Sequence, residues 1–132
     1  MKVLSLFDGI SCGMLALQRA GIPVECYDAF EIDKYAVTVS KRNFPVIVHH
    51  GNVYDGDFTQ FKGYDLLLGG SPCTYWSIAK KDREVDCNGE GFRLFKEYVR
   101  ALEESGCKYF LYENNYSVHQ NIKDEITRVL GV

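Results

Sequence analysis

The sequence predicts an α/β fold, with a mostly parallel sheet and helices on both faces. Three observations carry that prediction. Short apolar runs alternate in order with stretches whose apolar residues recur at helical spacing. Gly and Pro punctuate the junctions, with no internal repeat and no linker-like segment. The 132 residues, 46% hydrophobic and 25% charged, suffice for one domain around one core.

The elements follow in order. Val3 to Phe7 reads as a buried strand, after which Gly9 and Gly13 mark a turn into a helix carrying Met14, Leu15, Leu17 and Ala20. Gly21 and Pro23 stop that helix. Val24 to Phe30 forms a second strand, Lys34 to Asn43 a helix with Ala36, Val37 and Val39, and Val46 to Val48 a third strand after Pro45. Tyr64 to Leu68 is the fourth strand. The stretch from Gly69 to Gly91 is rich in Gly, Ser, Asp and Lys, and its length marks it as a functional loop. Phe92, Phe95, Val99 and Leu102 give one face of a helix that ends near Gly106. Tyr109 to Tyr112 is the fifth strand, and Ile122, Ile126, Val129 and Leu130 lie on a last helix.

Composition excludes several classes. No run of about 18 apolar residues is present, and an acid at Asp8 interrupts the start before a signal-like core forms, so a cytoplasmic protein with no membrane segment is expected. Five cysteines are an odd number, contain no Cys-x-x-Cys pair and lie far from His49, His50 and His119; reduced thiols and no metal are expected. A net charge of −3 argues against this segment gripping a nucleic acid unaided. Lys80, Lys81, Arg83 and Arg93 are the one local basic stretch, and a solvated loop accounts for them equally well.

In open parallel sheets, ligands bind beyond the carboxyl ends of the strands. Those positions here hold Phe7-Asp8-Gly9-Ile10-Ser11-Cys12-Gly13, Glu31-Ile32-Asp33, Gly51-Asn52-Val53, Gly69-Gly70-Ser71-Pro72-Cys73 and Glu113-Asn114-Asn115. A glycine turn entering a helix offers backbone N–H groups, and an acid ending the next strand accepts ribose hydroxyls, so a nucleoside cofactor is expected. Gly9-x-x-x-Gly13 lacks the dinucleotide spacing, and a carboxylate at Asp8 repels a pyrophosphate. A cofactor with an ammonium or sulfonium group suits the turn better, which favours S-adenosylmethionine over NAD.

Ser71-Pro72-Cys73 within Gly69 to Ser77 is the most specific element, and here the chain resembles the cytosine-5 DNA methyltransferases, whose Pro-Cys motif carries the nucleophile. Leu6-Phe7-Asp8-Gly9-Ile10-Ser11-Cys12-Gly13 resembles that family's cofactor motif, most closely in eukaryotic de novo enzymes and related bacterial and phage proteins. Phe30 to Ala36, Arg93-Leu94-Phe95 and Glu113-Asn114 match in order and spacing, and the resemblance covers essentially all 132 residues. It implies a Rossmann-like S-adenosylmethionine-dependent methyltransferase fold over residues 1–132, with S-adenosylhomocysteine as product. It also implies roles: Phe7 flanks the adenine, Asp8, Gly9 and Ile10 line the methionine and ribose region, Glu31 binds the ribose hydroxyls, and Ile32 packs on the adenine. Asn52 and Val53 stand at the adenine edge, and Pro72 and Leu94 close the pocket.

The chemistry explains why these residue types belong together. Carbon 5 of cytosine is a poor nucleophile until a thiolate, here that of Cys73, adds to carbon 6 and makes the ring enamine-like. Charge growing on the ring is relieved if Glu113 donates to N3, which requires a carboxyl group with a burial-raised pKa. The DNA partner must present its cytosine flipped out of the helix.

The sequence departs from the family at two positions. The third strand end usually offers an aspartate to the adenine amino group, and Asn52 retains a carbonyl for that bond; Asn115 replaces a usual Val. The family's arginine motif, target recognition region and C-terminal helix are not within Met1 to Val132, so a partial enzyme is expected, completed by that region or by a complementary chain. Other readings are a non-catalytic cofactor-binding or interaction module, an RNA cytosine-5 methyltransferase, and an exocyclic-amine methyltransferase, whose motif has Pro where Cys73 stands.

Overall fold

The computed structural model describes residues 1–70, 89–113 and 120–131. Five strands, β1 (Lys2–Leu6), β2 (Cys26–Phe30), β3 (Val48–His49), β4 (Leu66–Gly69) and β5 (Tyr109–Tyr112), form one sheet in the order β3-β2-β1-β4-β5. Every pairing is parallel, with Leu4 opposite Asp28 and Leu67, and Leu68 opposite Leu111. The chain therefore runs outward from β1 in both directions, and the strand order reverses between β1 and β4.

Strand alternation sorts the core into two layers. Val3, Tyr27 and Ala29 face α1 (Cys12–Arg19), burying Met14 and Leu17, while the end of α2 (Lys34–Asn43) adds Phe44. Leu4, Leu6, Phe30 and Leu67 face the opposite way, against Phe58, Phe61 and α3 (Glu90–Ser105), which contributes Tyr98 and Ala101. Helix α4 (Gln120–Leu130) packs on α3 through Ile122, which meets Phe92 and Phe95. Gly106, left-handed at φ 64°, closes α3 by returning its N–H to Leu102 O at 3.0 Å.

The sequence reading and the structure differ locally. β1 stops at Leu6, because Phe7 swings to φ 55° and leaves the ladder. β2 begins at Cys26, two residues after Val24, β3 moves to Val48–His49 and shares only Val48 with the expected strand, and β4 runs from Leu66 to Gly69 rather than from Tyr64. Between β3 and β4 lie two unforeseen 3₁₀ turns, Val53–Asp55 and Phe58–Phe61, begun by Asn52 and Asp57 side chains that accept backbone N–H groups. In α2 the inward residue is Ser40, fully buried, while Val39 is 39% exposed. Leu15 likewise turns outward from α1. No helix among the described residues is long and apolar enough to cross a membrane.

Candidate active site

The turn after β1 is built from alternating left-handed residues: Phe7 at φ 55°, Gly9 at φ 60° and Ser11 at φ 70°. Such backbone in two non-glycine residues persists only where the surroundings over-determine it. Asp8 supplies that determination. Its carboxylate accepts from Ser5 Oγ at 2.7 Å, from the Tyr27 hydroxyl at 2.6 Å and from Ser11 Oγ. Ser11 Oγ lies 2.5 Å from Ser40 Oγ, which in turn lies 3.4 Å from His49 Nε2.

Each hydroxyl has one proton, so the direction of this chain is fixed. Ser11 donates to Asp8, Ser40 to Ser11, and His49 Nε2–H to Ser40. That leaves His49 Nδ1 as a buried acceptor without a partner among the described residues. Burial holds the His49 pKa below its ordinary value, with Lys41 and His50 adding to the effect and Asp8 opposing it. Burial also pushes the Tyr27 phenol up, and the adjacent Asp8 adds to it. Asp8 thus anchors the turn from beneath, and it also lines a cavity between β1 and β4.

Above the turn, Glu31 closes a second set of bonds. Its two oxygens accept Gly9 N–H at 2.8 Å and Asp33 N–H at 2.9 Å, and each oxygen retains a lone pair for a ligand. Asp33 caps α2 by accepting from Tyr35 N–H at 2.9 Å. Glu31, Phe7, Ile32, Asn52, Val53 and Leu94 all line one cavity, so side chains from four separate parts of the chain meet there. The mostly apolar lining fits a ligand held by few polar groups. Ile32, 73% exposed, forms its lip.

One wall of this cavity is fastened to the other through α3. Arg100 donates to Val53 O at 2.9 Å and Gly56 O at 2.8 Å, and pairs with Glu97 and Glu104. The Tyr54 hydroxyl donates to Glu90 at 2.6 Å, and burial together with Glu90 pushes its pKa up to about 12. Val53 and Leu94 are thereby held at a set separation.

The other half of the rim lies where the strand order reverses. A cavity of about 210 Å³ opens there between Phe7, Asp8 and Gly13 on one side and Gly69, Gly70 and Glu113 on the other. Glu113 N–H donates to Gly69 O at 2.9 Å. Gly70 touches Glu113 so closely that a Cβ there would fall 1.9 Å from its carbonyl oxygen and 3.3 Å from Oε2. The Glu113 side chain is exposed.

Of the sequence-predicted site residues, Phe7, Glu31, Ile32, Asn52, Val53 and Leu94 are brought together in one cavity. Gly9 joins them through its bond to Glu31. Asp8 and Glu113 share the neighbouring cavity. Ile10, 48% exposed, sits instead in a depression with Cys12, Leu15 and Phe44. Pro72, Cys73, Asn115 and the basic Lys80, Lys81 and Arg83 lie outside the described residues. Sequence reasoning missed Tyr27, Ser40, His49, Tyr54 and Arg100; the available signal was a polar residue at an inward strand or helix position, visible at Ser40 only once the helix phase is known.

A family model described as C-5 cytosine-specific DNA methylase matches residues 1–130. Orphan methyltransferase M.SPRI of Bacillus phage SPR is 38% identical over 118 residues, which cover 86% of this chain and 26% of the relative. Type II methyltransferase M.HgiCII of Herpetosiphon aurantiacus is 34% identical over 116 residues, 86% of this chain and 25% of its own length. The chain therefore spans about a quarter of the length of these curated relatives. A crystal structure of a Spodoptera frugiperda DNMT2 mutant superposes with a TM-score of 0.69 at 24% identity, over 97% of this chain and 40% of that one. That likeness places the fold among the Rossmann-like methyltransferase folds.

Proposed function

This chain belongs to the C-5 cytosine-specific DNA methylase family, and on that premise we propose that it is the cofactor-binding and nucleophile-bearing part of an enzyme that methylates carbon 5 of cytosine in DNA. The observation that carries the reading is the convergence of Phe7, Glu31, Ile32, Asn52, Val53 and Leu94 on one cavity. S-adenosylmethionine, when bound there, supplies an electrophilic methyl group on a sulfonium centre. The donor set fits it: Glu31 has lone pairs free for ribose hydroxyls beside the Gly9 turn, and the rest of the lining is mostly apolar.

This chain's own residues then divide the work. Cys73 attacks carbon 6 of the flipped base through its sulfur, and Glu113 as a carboxylic acid donates to N3, taking up charge as the bond forms. After methyl transfer, loss of the carbon-5 proton expels the Cys73 thiolate and restores the aromatic ring. Gly70 supports this pairing, because it stands three residues before Cys73 and is packed against Glu113. Glu113 is exposed in the chain by itself, so the burial its acid form requires comes from the flipped base and further polypeptide.

A completed enzyme is supported by the bare side of the sheet. Tyr109 and Leu111 share the face of Leu66 and Leu68 by register, yet remain 53% and 61% exposed. Further polypeptide, in the same chain or in a complementary one, covers that face and brings the DNA-gripping surface that a net charge of −3 does not provide.

The test is covalent trapping on duplex DNA containing 5-fluorocytosine, with the chain completed by its missing region. Only addition at carbon 6 leaves protein attached to DNA. Attachment that disappears with Cys73→Ala supports the reading; methylation that survives Cys73→Ala overturns it. Methylation absent altogether, with S-adenosylhomocysteine still bound, favours a non-catalytic cofactor-binding module instead.

A further inference from the structure

We propose that Asn52 reads the purine of the bound nucleoside through an N–H donor, so that the site takes 6-keto as well as 6-amino purines; this rests on the cofactor reading above. The argument starts from the turn that Asn52 begins. Its Oδ1 accepts Tyr54 N–H at 3.0 Å, starting the 3₁₀ turn Val53–Asp55. An amide nitrogen cannot accept that bond, so the orientation of the side chain is decided by chemistry. Nδ2, with two N–H donors, is the end left without a partner among the described residues.

Asn52 and Glu31 carry the two polar side chains in the lining of the cavity that Phe7 and Leu94 also line. Glu31 is tied to the Gly9 end by its bond from that N–H, which places it at the sugar. Asn52, at the end of β3, is left for the edge of the base. A carboxylate at this place would present acceptors alone, selecting an exocyclic amino group and repelling a keto oxygen. The amide presents the Nδ2 donors beside an Oδ1 that keeps one lone pair after accepting Tyr54 N–H, so it can meet O6 of hypoxanthine as well as the amino group or ring N1 of adenine. Discrimination at purine carbon 6 is therefore weak in this chain.

The experiment measures the affinity of the 132-residue chain for S-adenosyl-L-homocysteine and for S-inosyl-L-homocysteine by ligand-observed NMR at millimolar ligand, in the wild type and in Asn52→Asp. Aspartate also accepts Tyr54 N–H, so the turn keeps its start and an unchanged Tm confirms it. The two ligands should bind the wild type within about fivefold of each other. Asn52→Asp should shift the ratio about tenfold toward the adenine compound. Wild-type rejection of the inosine compound by about a hundredfold or more overturns the proposal, as does an unchanged ratio in the variant. Failure of both compounds to bind removes the cofactor reading itself, and this inference with it.

Discussion

The two halves of the sheet rim differ in how much of their surroundings this chain provides. Around β1 and β2, both faces are covered: α1 and the end of α2 on one side, Phe58 and Phe61 on the other. Six cofactor candidates reach a common cavity there, and a buried chain of hydroxyls holds the Phe7 to Ser11 turn from below. Around β4 and β5, α3 and α4 cover one face, while Tyr109 and Leu111 stand exposed on the other. The difference teaches that the candidate cofactor pocket is made from local crossovers, whereas the candidate catalytic edge lies beside a sheet face that the described residues leave open.

The largest test of that contrast compares two leucines on neighbouring strands. Leu67, fully buried, should cost about 3 kcal/mol as Leu67→Ala, read from the urea midpoint. Leu111→Ala, on the bare face, should stay within about 0.5 kcal/mol in the chain alone. An equally large loss at Leu111 in the chain alone would mean that this face is already packed.

A second comparison uses glycines. A methyl group at Gly70 meets the Glu113 backbone, so Gly70→Ala should destabilise by about 1–3 kcal/mol and disturb the β4–β5 rim. Gly51 has no atom within 4 Å of a built Cβ, and Gly51→Ala should be within about 0.5 kcal/mol of wild type. Chemical denaturation of both variants checks the pair.

The smallest expected effect is one of pH in the half around β1 to β3. His49 binds its proton less readily folded than unfolded, so the unfolded chain takes up more protons below the ordinary His value of 6.5. The contribution is complete above that pH and is lost as pH falls through the depressed folded value. Thermal melts from pH 7.5 to 5 should show a decline that His49→Gln flattens; a decline of the same size in His49→Gln would assign it elsewhere.

Much of the fold was legible because strand and helix periods are local properties. Val3 to Leu6, Lys34 to Asn43 and Tyr109 to Tyr112 form where their spacing places them. The two 3₁₀ turns were not legible, since they depend on Asn52 and Asp57 finding backbone donors that only the turned chain presents. The candidate site divides the same way. Glu31, Asn52 and Glu113 announce themselves as polar residues at strand ends, but nothing in the linear order ties Ser40 to Ser11 or His49.

The sequence by itself determined the alternation of strands and helices, the family motifs and the residue types at each strand end, because each of these is encoded within a few neighbouring positions. Tertiary structure alone decided that Asp8 turns its carboxylate down onto Ser5, Ser11 and Tyr27, that Arg100 fastens Val53 to α3, and that Gly70 lies against Glu113. Those contacts join residues up to 47 positions apart, so they exist only once parallel pairing has brought distant segments to one rim.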